Sequence, residues 1–422
     1  MGGFAVRDGA LHCEAVPLAL IAHAAATPAY VYSAGLIRDR FARLDAALAA
    51  APHRIHYSLK ANGSRGILEL LRAAGCAVDV VSGGELYKAL RAGFTPDEIL
   101  FGGVGKTEGE LREAIAAGVK LINVESEAEL RLVSRLAADL GAVANVGLRV
   151  NPEVDVKSGH QYIATGERGH KFGIPIGDAA SAGRLAIALP NVSLQALDMH
   201  VGSQLSSFDA FREGTARLVE LSMELRAAGA DIRYLDAGGG LPVPYDAEEE
   251  PDLAAYGAIV TAAANTLGVE LLVEPGRFFV AASGVLLTRV LYCKESGAKA
   301  YVICDAGMTE LLRPSHYDAF HRIEAVSPRA GAGAVTVDVV GPVCESGDFL
   351  ALDRELPGVE PGDLLAVHTA GAYGYVMSSQ YNARPRVAEV LVDGTRWAVV
   401  TARETYEDLV RHEIPVPQWR EA

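Results

Sequence analysis

The sequence predicts an α/β chain in two parts, a (β/α)8 barrel followed by a C-terminal β domain of sandwich or barrel-like form. Three observations predict it. Short apolar runs alternate with Ala/Leu/Glu/Arg-rich segments from residue 54 to residue 276, giving about eight strand–helix units over roughly 220 residues, the size of a closed parallel barrel. An open doubly wound sheet, the alternative, carries a GxGxxG turn after its first strand, and "KANGSRG" is not that turn. Beyond Gly276 the texture changes to closely spaced strand-like runs with few long helical patterns, as in sandwiches and small barrels.

In chain order, Ala15 to Ile37 carries no charge, but Pro17, His23, Thr27 and Pro28 interrupt it and it ends in the strand-like "AYVYS". Its upstream flank holds Asp8 and Glu14 rather than a basic cluster, so neither a membrane span nor a signal peptide is expected. From Leu36 to Ala51, Ile37, Phe41, Leu44 and Leu48 recur at helical spacing. "RIHYSLKAN" alternates: Ile55, Tyr57 and Leu59 face one way, His56, Ser58 and Lys60 the other, so the first barrel strand ends on a lysine before an Asn-Gly turn. A helix follows at Arg65–Ala74. The strand-like runs then recur as "AVDVVS", "ILFGG", "LINVES", "NVGLRVN", "LQALDMHVG", "IRYLDAGGG" and "LLVEPG". Past them lie "VLLTRVLYC", "KAYVICDAG", "AVTVDVVGP", "DFLALDREL", "DLLAVHTAG", "RVAEVLVDG" and "RWAVVTAR". The expected division is a barrel over residues 28–280 and a β domain over 281–422, with residues 1–27 packing with either.

A net charge of -15 argues against a nucleic-acid partner. Five scattered cysteines without a CxxC pair indicate neither a disulfide framework nor a zinc site, and fit a reducing cytoplasm. Cys13, Cys76, Cys293 and Cys304 read as small buried hydrophobes. Cys344, in a Gly/Pro-bounded loop beside Glu345 and Asp348, does not.

A β/α barrel keeps its chemistry at the C-terminal ends of its strands. Those ends carry Lys60, Asp79, Asn123, Arg149 with Asn151, His200 with Ser203, Gly238-Gly239-Gly240, and Glu274 with Arg277. The triple glycine lets backbone N–H groups approach an anion, although a plain flexible turn uses the same residues. "EPGR" places a second small-residue loop beside it, the frequent phosphate arrangement of the last two barrel strands. Glu274 would be repelled by a phosphate unless it faces another part of the same ligand, and a carboxylate can keep a ring nitrogen protonated. A lysine, a phosphate cradle, a carboxylate and an aromatic-stacking candidate in His200 together point to pyridoxal phosphate, with Lys60 as its Schiff-base partner. Asp79 suits either a contact near the cofactor or a structural hydrogen bond.

The stretches "YSLKAN", "VDVVSGGEL", "HKFGI", "HVGSQ", "DAGGGLPVPY", "EPGR", "DAGMTELLRPSHYDAFHRI", "GPVCESGDFLA" and "GAYGYVMSSQYNARPR" resemble, in order from Thr27 to Arg386, the diaminopimelate decarboxylase family of fold-type III pyridoxal-phosphate enzymes. The resemblance implies an alanine-racemase-like barrel, a C-terminal β domain and a cytoplasmic homodimer with active sites at the subunit interface. It implies Lys60 as the Schiff-base lysine and His200 stacked on the cofactor ring. It puts Gly239, Gly240, Gly276, Arg277, Ser203 and Tyr373 around the phosphate, and Glu274 at the ring nitrogen. Arg277, Arg313, Tyr317, Glu345 and Tyr373 match substrate contacts, and Cys344 the proton donor after decarboxylation. The implied reaction converts meso-2,6-diaminopimelate to L-lysine. The rivals are relatives acting on ornithine, lysine, arginine, a glutamyl or a carboxypolyamine substrate. Alanine racemases pair the ring nitrogen with an arginine, which Glu274 contradicts, and a non-catalytic cofactor carrier would lack Lys60, Cys344 and Glu345. Asp155–Gly173, rich in Gly, Ser and charge, reads as a lid or a surface loop.

Overall fold

The computed structural model describes residues 3–154, 171–205, 207–329, 331–417 and 419–420. Residues 155–170 of the expected lid therefore lie outside the described residues. The chain divides into two compact units, one of residues 34–282 and one of residues 1–33 with 283–422.

The first unit is a closed parallel barrel of strands β1 (His53–Ser58), β2 (Ala77–Val80), β3 (Ile99–Phe101), β4 (Leu121–Val124), β5 (Ala144–Asn151), β6 (Val192–Asp198), β7 (Tyr234–Asp236) and β8 (Glu270–Val273). Successive strands pair in parallel and β8 pairs with β1, Val273 opposite Ile55, to close the ring. The first strand is shorter than the alternation suggests. Lys60 sits in a single 3-10 turn, Leu59–Ala61, that ends β1 and turns the lysine over the barrel mouth's rim.

Side chains on a strand alternate between faces. Leu100, Leu121, Ala196 and Leu272 meet as one buried cluster with Tyr234 packed against it, and so define the inward positions. Two residues further along the same strands come Asn123, Asp198, Asp236 and Glu274. The pattern that fills the barrel with apolar groups thus delivers polar ones to its C-terminal layer. One register detail makes room for them: a Cβ at Gly147 would overlap Asn123 Oδ1.

Helices alternate with the strands and cover them. Helix α1 (Ala34–Leu48) buries Ile37, Leu44 and Leu48, and Phe41 is half-buried at the edge of that face. The helix Glu108–Ala117 starts in a capping box, where Thr107 accepts from the Glu110 N–H and the Glu110 side chain accepts from the Thr107 N–H. The last barrel helix, Leu253–Leu267, packs so closely on α1 that a Cβ at Gly257 would overlap the Ala47 carbonyl oxygen.

The second unit is mostly sheet. Its strands run in the order Phe349–Pro357, Ala334–Val340, Lys299–Cys304, Gly284–Ser296, Ala29–Ser33, Ala388–Asp393, Arg396–Thr401, and Leu364–Val367 also pairs with Gly284–Ser296. The N-terminal "AYVYS" run is therefore an interior strand of this sheet, between Gly284–Ser296 and Ala388–Asp393. Leu11, Val31, Val285, Leu287, Ala366, Val390 and Val392 share its core. Cys13, Cys76 and Cys304 are buried as expected, whereas Cys293 is exposed. Its strand is buried only over its first half, and the cysteine lies on the half that projects past the packed layer.

Two stability tests follow from the barrel. Gly257→Ala forces a methyl into a backbone oxygen and should cost about 1–3 kcal/mol in denaturant unfolding. His56 is wholly buried on β1 with neither ring nitrogen hydrogen-bonded among the described residues, and burial, reinforced by Lys120 and Arg54, pushes its pKa down from 6.5 to about 3. The unfolded chain then binds a proton that the folded chain refuses, so stability is lost as pH falls from 6.5 towards 3. His56→Phe should flatten that part of the stability–pH curve, read by thermal unfolding.

Candidate active site

The mouth of the barrel is organised by the seam between its first and last strands. Ser58 N donates to the Pro275 carbonyl at 3.1 Å. Ser58 Oγ lies 2.9 Å from the Glu274 carbonyl oxygen and 3.0 Å from Asp79 Oδ2. Lys60 Nζ is 3.3 Å from the same Asp79 oxygen. The last strand is tied to the glycine loop in turn, Glu274 N donating to the Gly238 carbonyl at 2.8 Å. Gly238 has φ +68°, and a Cβ there would overlap the Met199 carbonyl oxygen. A Cβ at Gly239 would overlap the Glu274 carbonyl oxygen. The N–H groups of Gly239, Gly240 and Gly276 donate to no protein acceptor among the described residues.

Arg277 completes this edge, its Nη1 donating to Tyr245 Oη at 2.7 Å and its Nη2 to Ser203 Oγ at 3.2 Å. The Gly202 N–H donates to His200 Nδ1 at 3.3 Å. Burial, with Arg149 and Lys60 nearby, holds the His200 pKa well below its usual value, so the imidazole is neutral and presents a flat, uncharged face.

Beneath them lie carboxyl groups the sequence reading did not single out. Asp198 and Asp236 are buried on neighbouring strands in register, and with Glu274 their oxygens lie within 4.8 Å of one another. Burial raises all three pKa values, and the like charges, Asp79 included, raise them further; Asp236 is pushed up to about 7. These donor atoms would also suit a small cation, a role for which Arg149 and Lys60, acting on the same groups, are already placed. Arg149 itself pairs with Glu125 at 2.8 Å, and the Gly173 N–H donates to the other Glu125 oxygen at 2.9 Å. The signal for Asp198 and Asp236 was present in "ALDMH" and "YLDAGGG": each is the inward residue immediately before a loop that carries chemistry.

The remaining expected site residues belong to the second unit. Arg313 and Tyr317 lie on the short helix Arg313–Tyr317. His321 Nδ1–H donates to the His368 carbonyl at 2.8 Å, which leaves Nε2, 3.4 Å from Arg313 Nη1, as the acceptor that steadies the guanidinium. Cys344 and Glu345 are exposed on the loop before Phe349. Asp348 pins that loop, accepting from the Val343 and Met308 N–H groups at 2.6 Å each, and Asn382 Oδ1 accepts from Cys344 N at 2.9 Å. A Cβ on Gly347 would stand 3.9 Å from Glu345 Cγ and 4.0 Å from Ser315 Cβ, so the loop runs beside the Arg313–Tyr317 helix. Tyr373 adopts φ +54° in the segment after Leu364–Val367. The structure thus gathers Lys60, His200, Ser203, Gly239, Gly240, Glu274, Gly276 and Arg277 in one barrel mouth, and Arg313, Tyr317, Cys344, Glu345 and Tyr373 in the other unit.

Residues 34–281 match the pyridoxal-binding domain of the pyridoxal-dependent decarboxylases. The diaminopimelate decarboxylase of Vibrio cholerae is 45% identical over 98% of both chains, and that of Pseudomonas aeruginosa is 45% identical over 99% of this chain and 100% of its own. This chain belongs to the diaminopimelate decarboxylase family. Among solved structures, the Helicobacter pylori diaminopimelate decarboxylase complexed with L-lysine superposes with a TM-score of 0.90 at 38% identity, covering 94% of this chain and 99% of the other. The M. jannaschii enzyme, also with L-lysine, gives 0.92 at 34% identity over 99% of both.

The diaminopimelate decarboxylase family uses pyridoxal phosphate, and the residues here fit it. The unengaged N–H groups of Gly239, Gly240 and Gly276 suit a phosphate, neutral His200 suits a ring face, and Lys60 offers the amine. Gly239→Ala should displace the Glu274 carbonyl and weaken pyridoxal phosphate binding at least about tenfold, equal to about 1.4 kcal/mol, as read by spectroscopic titration of the cofactor.

Proposed function

We propose that this chain converts meso-2,6-diaminopimelate to L-lysine and carbon dioxide, with pyridoxal 5'-phosphate held on Lys60. The observation that carries the reading is the convergence in one barrel mouth of Lys60, neutral His200, the Glu274 carboxyl and the open glycine cradle. Full-length relatives at 45% identity bear the name of this reaction.

Bound pyridoxal phosphate supplies an electron sink for the carbon that loses carbon dioxide. Lys60 provides the amine that would hold the cofactor, and Asp79, 3.3 Å from it, is placed to take the proton it sheds. Gly239, Gly240 and Gly276, with Ser203, Arg277 and Tyr373, would hold the phosphate, His200 would cover the ring, and Glu274 would meet the ring nitrogen. Arg277, Arg313, Tyr317 and Tyr373 bind the substrate, the arginine forks matching carboxylates, while Glu345 suits the distal ammonium. Cys344 then gives its thiol proton to the carbon that has lost carbon dioxide, and solvent reprotonates the thiolate. The exposure of Cys344 and Glu345 supports a homodimer in which one subunit offers these residues to its partner's barrel, and the five free cysteines fit a reducing cytoplasm.

Purified protein with added pyridoxal phosphate should release carbon dioxide from meso-diaminopimelate, with lysine formed in equal amount, and from none of lysine, ornithine, arginine or glutamate. Release from another member of that panel instead would reassign the substrate while leaving Lys60 in its role. Lys60→Ala should abolish the visible absorbance of the bound cofactor together with turnover. Cys344→Ala should keep the absorbance and lose about 10²–10⁴-fold in rate. Mixing the two inactive variants restores activity only if each site draws on both subunits, so failure to complement would count against the shared site.

A further inference from the structure

Asp198, Asp236 and Glu274 sit on three successive strand ends, each at least nine-tenths buried. Their oxygens approach within 4.8 Å of one another. Asp236 Oδ1 accepts from the Gly238 N–H at 2.9 Å. Asp198 Oδ1 and Asp236 Oδ2 are buried and meet no hydrogen-bond donor among the described residues. Two ionised carboxylates can only repel across such a gap, because each is an acceptor with nothing to donate. One proton between them converts the repulsion into a hydrogen bond. At this separation in a low-dielectric interior, full ionisation of the set is strongly disfavoured.

The groups facing the trio come from strands around the barrel. Lys60 follows β1, Asp79 lies on β2, Glu125 follows β4, Arg149 lies on β5, His200 follows β6, and Tyr256 looks in from the helix before β8. The two cations do not neutralise it alone. Arg149 is paired with Glu125 and Lys60 with Asp79.

We propose that Asp198, Asp236 and Glu274 hold protons in common as one unit, and that Asp198 and Asp236 are positioning residues that set the charge on Glu274. The consequence rests on Glu274 meeting the cofactor's ring nitrogen. With a neutral ring bound there, Glu274 would give up its O–H proton to the ring nitrogen. The negative charge left behind is tolerated because the two aspartates retain a proton between them. The trio is thus the source of the ring proton and the reason it stays in place.

Infrared spectroscopy of the full-length protein across a pH titration tests this without any substrate. The wild type should show the carbonyl stretch of a protonated carboxyl at pH 7, shifted in deuterium oxide. Asp198→Asn and Asp236→Asn each remove one ionisable member while keeping its shape. In each, the remaining band should titrate at least about one pH unit lower, a tenfold loss of proton affinity, because fewer like charges oppose ionisation. Loading pyridoxal phosphate should diminish the wild-type band, and the visible absorbance of loaded Asp198→Asn should acquire a pH dependence that Asp198→Glu reverses. A wild type with no protonated carboxyl at pH 7 overturns the proposal, and so does an unchanged midpoint in both asparagine variants. A chain that fails to take up pyridoxal phosphate at all would instead overturn the functional reading, and the infrared titration separates the two failures.

Discussion

The pairing of β8 with β1 is the contact on which the rest of the barrel mouth depends. It joins residues more than two hundred positions apart and sets Ser58 against the Glu274 and Pro275 carbonyls. Lys60 and the last strand's carboxyl are brought to the same rim only because the ring closes there. In an open sheet the first and last strands would be opposite edges, and no amine could face Glu274. Closure also brings the helix that precedes β8 beside α1, which precedes β1, and Gly257 lets those two backbones meet.

The glycine loop is a second consequence of that closure. Its chain is threaded between the Met199, Gly202 and Glu274 carbonyls, at distances that leave no room for a side chain. Their own packing requires the glycines, and the freedom of their N–H groups to meet a phosphate comes with it. One loop thereby anchors the last strand and opens an anion cradle.

Charge in the barrel is layered rather than scattered. An apolar floor of Leu100, Leu121, Ala196 and Leu272 lies under carboxyls whose burial favours their protonated forms, and above them a neutral imidazole lines the mouth. Desolvation is the common cause. It keeps a proton on acids and off a histidine.

The sequence by itself determined the alternation of strand and helix, the change of texture after Gly276 and the polar residues that end the strands. Each of these is written in local periodicity: apolar spacing of two or of three to four, and a lysine, histidine, glycine run or glutamate where a strand stops. Only the tertiary structure decided that the "AYVYS" strand lies inside the β-rich unit's sheet, because strand partners are chosen by surfaces far away in sequence. The same holds for Cys293, exposed because its strand outruns the layer it packs on. Asp198 and Asp236 are the sharpest case. Each looks like an ordinary polar strand end, and they become a proton-holding set only when barrel register brings them level with Glu274, since proton affinity depends on distance and burial, which no stretch of sequence carries alone.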